Sequence, residues 1–103
     1  MAMSKSKVKN EEIIRVQNMF LSLLHKYGVK VQSMPTIQGV NMLGEYVTPI
    51  GGYHRVTIQI TPEIAVVYVN DMYVKSTIFM KKYHLSKVTN ASMFEEFLKK
   101  NLK

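Results

Sequence analysis

The side chains that could do chemistry are few and scattered. Three histidines, His25, His54 and His84, fall on separate stretches of the chain. None has a partner four residues away or a carboxylate cluster beside it, so the spacing does not describe a metal centre. The acids are Glu11, Glu12, Glu45, Glu63, Asp71, Glu95 and Glu96. Glu11–Glu12 and Glu95–Glu96 each stand where a helix begins. A first-turn acid complements the helix dipole, which explains these pairs better than a general acid–base couple does. There is no cysteine, so thiol catalysis, disulfides and zinc ribbons are excluded together. No serine sits in a nucleophile elbow, and no glycine-rich loop ends in the Lys-Ser/Thr of a phosphate cradle. Gly51-Gly52 reads as a turn. The chain is therefore expected to be no enzyme and to use no cofactor or metal.

What the sequence offers instead is aromatic rings interleaved with cations. The stretch from Ile64 to Lys75, IAVVYVNDMYVK, carries Tyr68, Tyr73 and Lys75 beside an apolar run. Arg55 lies on the alternating stretch before it, and Phe79 on the stretch after it. KKYHLSK, Lys81 to Lys87, is the densest basic segment and places Lys81, Lys82 and Lys87 around Tyr83 and His84. Rings that stack on bases and cations that meet phosphates are what a sequence-tolerant nucleic-acid surface needs. Tyr and Arg are also enriched at protein interfaces.

The balance of charge agrees with an anionic partner. The 103 residues carry a net charge of +7, which draws a domain of this size toward nucleic acid or other polyanions. Part of that basicity has a bland origin, because Lys, Ile, Asn and Tyr share A/T-rich codons. Only Arg15 and Arg55 are arginine; the other basic residues are lysine. Lysine acts as a point charge rather than a bidentate fork, so backbone contacts are expected rather than a base code. The charge sits at the two ends of the chain. Residues 31–74 hold one cation, Arg55, against Glu45, Glu63 and Asp71.

These residues need elements to position them. With 47% apolar residues, one domain can build one core without a disulfide. Residues 1–9 alternate Ser and Lys and read as a flexible basic arm; residues 10–103 form a single α+β domain. Asn10 is a candidate N-cap. Ile13, Val16, Phe20, Leu23, Leu24 and Tyr27 recur at helical spacing, and Gly28 is a natural stop, giving a helix over 11–27. VKVQ at 29–32 is a short extended piece. Residues 33–52, broken by Pro35, Gly39, Gly44 and Pro49, are the least readable; EYVTPI within them suggests an edge strand whose exposed edge at Gly44–Pro49 would permit a homodimer by sheet extension. YHRVTIQI at 53–60 alternates cleanly. A four-residue turn at 61–64 pairs Ile60 with Ala65, Ile58 with Val67 and Val56 with Val69. Asn70-Asp71 suits a two-residue hairpin turn that pairs Val69 with Met72 and Tyr68 with Tyr73. Near the end, Asn90 is a candidate cap, or Ser92 with Glu95 a capping box, for an amphipathic helix through Leu102.

The expected fold is thus an antiparallel sheet of three to four strands with the N-terminal and C-terminal helices packed on one face. In this register Val56, Ile58, Ile60, Ala65, Val67, Val69, Met72, Val74, Ile78 and Met80 form the core face. Arg55, Tyr68, Tyr73, Lys75 and Phe79 project from the other. The expected function is a small basic, non-catalytic protein that binds nucleic acid or a nucleoprotein complex through that aromatic and cationic face. Lys81, Lys82 and Lys87 would serve as phosphate contacts at its rim. The alternative is a small accessory or inhibitor protein, of the phage-like kind mobile elements encode, that docks on a host protein. No apolar run approaches a membrane span and no signal peptide opens the chain, so a cytoplasmic location and no membrane partner are expected.

Overall fold

The computed structural model describes residues 2–102, with side chains described from Glu11 onward. The elements are α1 (Ala2–Lys26), β1 (Val31–Pro35), β2 (Val40–Val47), β3 (Tyr53–Ile60), β4 (Ile64–Asp71), β5 (Ser76–His84) and α2 (Ser92–Leu102). α1 begins at Ala2 rather than at residue 11, so the stretch read as a flexible arm is helical from Ala2, Asn10 lies inside the helix rather than capping it, and Glu11 and Glu12 are not in its first turn.

The end of α1 is set by Gly28, whose φ of 76° suits glycine. Its N–H donates to the His25 carbonyl, and the Val29 N–H donates to the Leu24 carbonyl. That paired arrangement, with Val29 and Leu24 both buried, is a Schellman stop. At the other helix, the Asn90 carboxamide accepts from the Ser92 N–H at 3.1 Å, so Asn90 opens α2. The capping-box alternative is overtaken, because the Glu95 carboxylate turns away to Lys26 and Tyr27, at 2.8 and 2.9 Å.

The five strands form one antiparallel meander in the order β1-β2-β3-β4-β5. The sheet has one strand more than the largest number expected. The extra strand comes from the 31–47 stretch, where β1 and β2 pair around a turn held by Thr36 and Gly39. The edge-strand reading of EYVTPI holds for Glu45, Tyr46 and Val47, which lie beyond the last β1 pair and are bonded to β3 alone, and fails for the rest. β2 ends at Val47, before Pro49, and Gly44 lies between Val31 on one side and Val56 on the other. The two outermost strands are poor templates for sheet extension. β1 is short and ends in Pro35, and β5 carries Lys81 and Lys82, devices that discourage edge pairing.

The β3–β4 register is the expected one: Ile60 opposite Ala65, Ile58 opposite Val67, Val56 opposite Val69. The β4–β5 register is not. Asp71 pairs with Ser76 and Asn70 with Thr77, so the turn is Met72–Lys75 rather than Asn70-Asp71. The Asp71 carboxylate accepts from the N–H groups of Tyr73 and Val74 at 2.9 and 3.2 Å, an Asx turn that favours the longer connection. Lys75 closes it at φ 57°. A bulge follows, after which Val69 stands opposite Phe79. The extra residue, Ile78, inverts every later side chain of β5. Phe79, Lys81 and Tyr83 therefore take the face expected for Ile78 and Met80. Those two are exposed, as is Val74.

Both helices cover the inner face. Val16, Phe20 and Leu24 of α1 and Phe94 and Leu98 of α2 join Met42, Val56, Ile58, Ile60, Val67 and Val69 in one core. Phe20 meets Phe94 and Tyr83 edge-on, with ring centroids 6.2 and 5.9 Å apart. The opposite face of the sheet has no layer over it among the described residues.

Candidate functional site

The eight residues singled out in the sequence do not form one surface. Tyr68 keeps its expected place on the outer face, half-buried between Thr57 of β3 and Met80 of β5. Arg55 shares that face, but its guanidinium is occupied. Its Nε and Nη2 donate to Glu45 Oε2 at 3.0 and 2.7 Å, and the Tyr53 hydroxyl donates to the other oxygen of the same carboxylate. Those bonds hold the Glu45 carboxyl below its ordinary range, Tyr53 contributing most and Arg55 next.

Tyr73 and Lys75 leave the sheet for the β4–β5 turn. The Tyr73 ring is 70% exposed and lies 6.0 Å from that of Tyr53. Phe79 is lost to the outer face. It packs beneath α2 against Phe97 and Phe94, at 4.8 and 5.7 Å between centroids. A stacking platform of Tyr68, Tyr73 and Phe79 therefore does not exist.

The three remaining lysines do come together. Lys81 and Lys82 point to opposite faces of β5, yet β5 is an edge strand and both reach the same depression around its free edge. Lys87, His84 and Asn90 complete that depression, whose volume is ≈ 320 Å³ and whose lining holds no carboxylate. Lys81 Nζ also sits 5.9 Å above the Tyr83 ring, a favourable cation–π position. The loop carrying Lys87 is fixed from beneath. Leu85 and Val88 are buried. Arg15 of α1 donates to their carbonyls, Nη2 to Leu85 at 2.9 Å and Nη1 to Val88 at 2.8 Å. The same guanidinium holds Glu12 at 3.0 and 3.1 Å. Glu63 flanks the loop, its backbone carbonyl accepting from the Leu85 N–H.

The histidines stay apart, and among the described residues no three of His, Cys, Asp and Glu converge. His54 is buried, with its Nδ1 3.1 Å from the Tyr46 hydroxyl; burial pushes the Tyr46 pKa well above its ordinary value.

One grouping escaped the sequence reading. The β2–β3 loop and the β4–β5 turn lie at the same end of the sheet and hold Val47, Ile50, Tyr73 and Val74 in solvent. The signals were present as Gly51-Gly52 and as Asp71, but they marked turns without saying which residues the turns would push outward.

No protein-family model, no curated protein and no solved structure matches this chain.

Proposed function

We propose that this chain is a non-catalytic binding protein for an anionic macromolecule, nucleic acid foremost, and that its principal contacts are Lys81, Lys82 and Lys87 at the β5–α2 corner. The reading rests on how the charges sort. Arg15, Lys26 and Arg55 are each paired with a carboxylate, Glu12, Glu95 and Glu45. The three corner lysines have no such pairing among the described residues and surround one depression. Lysines on a fixed loop and an edge strand suit phosphates of a backbone, which need charge at the right spacing and no base-reading fork. Tyr68 and Lys82 on the adjoining sheet face would extend the contact.

The test is a titration of labelled single- and double-stranded oligonucleotides at two salt concentrations. Binding should weaken steeply with salt. Lys82→Ala with Lys87→Ala should lower the log–log slope by about two. Arg55→Ala should leave the slope almost unchanged, since that charge is already balanced. No binding at low salt ends the reading.

A second reading, an accessory protein that docks on another protein, is favoured by one observation. The row Leu43, Thr57, Tyr68 and Met80 crosses four strands on the uncovered face. There the face would make the contact, and the net charge would act on the encounter rate.

A further inference from the structure

We infer that the end of the sheet built from the β2–β3 loop and the β4–β5 turn is a contact for the surface of an anionic lipid bilayer. Ile50 is 96% exposed, Tyr73 70%, Val74 69% and Val47 65%. These are not isolated side chains of the ordinary kind. Val47 stands opposite Tyr53, and the Tyr53 ring lies 6.0 Å from that of Tyr73, the neighbour of Val74. Ile50 projects from the adjacent loop. A group of exposed apolar side chains gathered at one end of a sheet marks a surface that is covered in use.

The exposure is built into the backbone. In the β2–β3 loop the Thr48 N–H donates to the Gly52 carbonyl, and the Gly51 N–H donates to the Thr48 carbonyl. The Thr48 hydroxyl accepts from the Gly52 N–H at 2.8 Å. Gly51 holds φ 89°. In the neighbouring turn Asp71 accepts from two amides, and the Met72 N–H donates to the Tyr53 carbonyl at 2.8 Å. Neither tip can fold its apolar residues back onto the protein without breaking these bonds.

The occupant is chosen by shape and charge. Ile50, Tyr73 and Val74 are held out in solvent on two turns, an arrangement that suits a yielding medium better than a rigid wall. Tyrosine beside aliphatic side chains is the composition of a membrane–water boundary. Lys75 closes one tip, and Lys100 shares with Ile50 a small depression of ≈ 240 Å³. The acids at this end are engaged, Asp71 in its own turn and Glu45 with Arg55 and Tyr53. Cations beside apolar tips complement anionic headgroups. A second copy of the chain is a poorer occupant, because a two-fold contact would set Lys75 and Lys100 against their own counterparts. No helix among the described residues is long and apolar enough to cross a membrane. The absence of such a run was the ground for expecting no membrane partner, and a surface contact does not require one.

The chain has no tryptophan, so Ile50→Trp introduces a single reporter. On addition of phosphatidylserine-containing vesicles its emission should shift to the blue, and brominated acyl chains should quench it. Pure phosphatidylcholine vesicles should give a much smaller change. In co-sedimentation with anionic vesicles, Ile50→Ser with Val74→Ser should lower the partition coefficient tenfold or more. Lys75→Ala should lower it roughly fivefold. Lys82→Ala with Lys87→Ala should leave the Trp shift intact. An unshifted emission overturns the inference. So does vesicle binding that survives the tip substitutions but is lost with Lys82 and Lys87, which assigns the attraction to the basic corner. Light scattering that shows a dimer abolished by the tip substitutions also overturns it, since a second copy then covers the end.

Discussion

The ring of Phe79 lies 4.8 Å from that of Phe97, under α2 and across the sheet from the face where Tyr68 is found. Two phenylalanines at that separation and a 35° tilt tie the edge strand to the C-terminal helix, a contact worth more than the area it buries. Phe79→Ala is therefore expected to destabilise the fold by about 3 kcal/mol, read from the midpoint of urea unfolding. A residue on an open binding face would behave otherwise, with unchanged stability and weakened binding. An unaltered midpoint would place Phe79 outside the core.

That contact also shows where the sequence stopped being legible. The alternation of Tyr53–Ile60 and Ile64–Val69 defines two faces so clearly that one register alone keeps them consistent, and β3–β4 adopts it. The same alternation after Met72 is compatible with two frames. The choice between them was made by the Asp71 side chain, which caps a longer turn, and by one extra residue at Ile78. Neither changes the hydrophobic pattern. Gly44 failed for a different reason. It looked like a break in 33–52, but it is a strand residue that must be small, since a Cβ there would come within 2.6 Å of the Lys30 carbonyl oxygen. The chain passes from α1 into β1 across that point. The packing need is invisible without the partner element. Lys81, Lys82 and Lys87 could be found because they are adjacent in sequence. The exposed tips could not, because it is the sheet that carries Ile50 and Val74 to the same end.

Arg15 joins α1 to the loop that carries Lys87 through two carbonyls and holds Glu12 at the same time. Hydrogen bonds from a charged donor contribute about 1.5–3 kcal/mol each when well desolvated; these are only partly buried, so Arg15→Ala is expected to cost about 1–2 kcal/mol in all. The more informative readout is local. Hydrogen exchange should accelerate at the amides of Lys87 and Val88, which donate to the His84 carbonyl, while the amides of β3 stay protected. Polyanion affinity should fall more than the loss of a neutralised charge explains, because the loop is no longer preorganised. Uniform acceleration across the chain would instead mark Arg15 as a general stabiliser.

Three carboxylates set the acid limit of stability. The Arg15 hydrogen bonds lower the Glu12 pKa, the Tyr53 and Arg55 bonds lower that of Glu45, and the Lys26 and Tyr27 bonds lower that of Glu95, each from an ordinary 4.5. The folded chain thus binds these protons more weakly than the unfolded chain does. Their stabilisation is fully present above the unfolded value and is lost as pH falls through the lowered folded values. Tm should be flat down to about pH 5 and fall below it. Glu45→Gln should shallow that fall, and 1 M salt should do the same, since all three pairs are solvent-exposed. Tyr46 acts in the opposite sense. Its raised pKa adds stability that persists below the ordinary value of 10.0 and disappears as pH rises through the folded one. A Tm that held through acid would remove the three pairs from the account.

The Tyr83 hydroxyl is buried beside the Phe94 backbone but makes no hydrogen bond of ordinary geometry among the described residues. Burial also raises its pKa, so the group stays neutral and still wants a partner. Leaving a buried hydroxyl unsatisfied costs about 1–3 kcal/mol, whereas its ring is fully used, edge-on to Phe20 and beneath Lys81 Nζ. Tyr83→Phe keeps the ring and removes the unpaired oxygen, and should raise stability by about 1 kcal/mol in urea unfolding. Because Lys81 rests on the ring and not on the hydroxyl, oligonucleotide affinity should stay within twofold of the parent. A variant that loses stability would mean that the oxygen is satisfied by water or by the backbone at the start of α2. One that gains stability but loses binding would make the hydroxyl a ligand contact, reached from the depression that Tyr83 shares with Lys82 and Lys87.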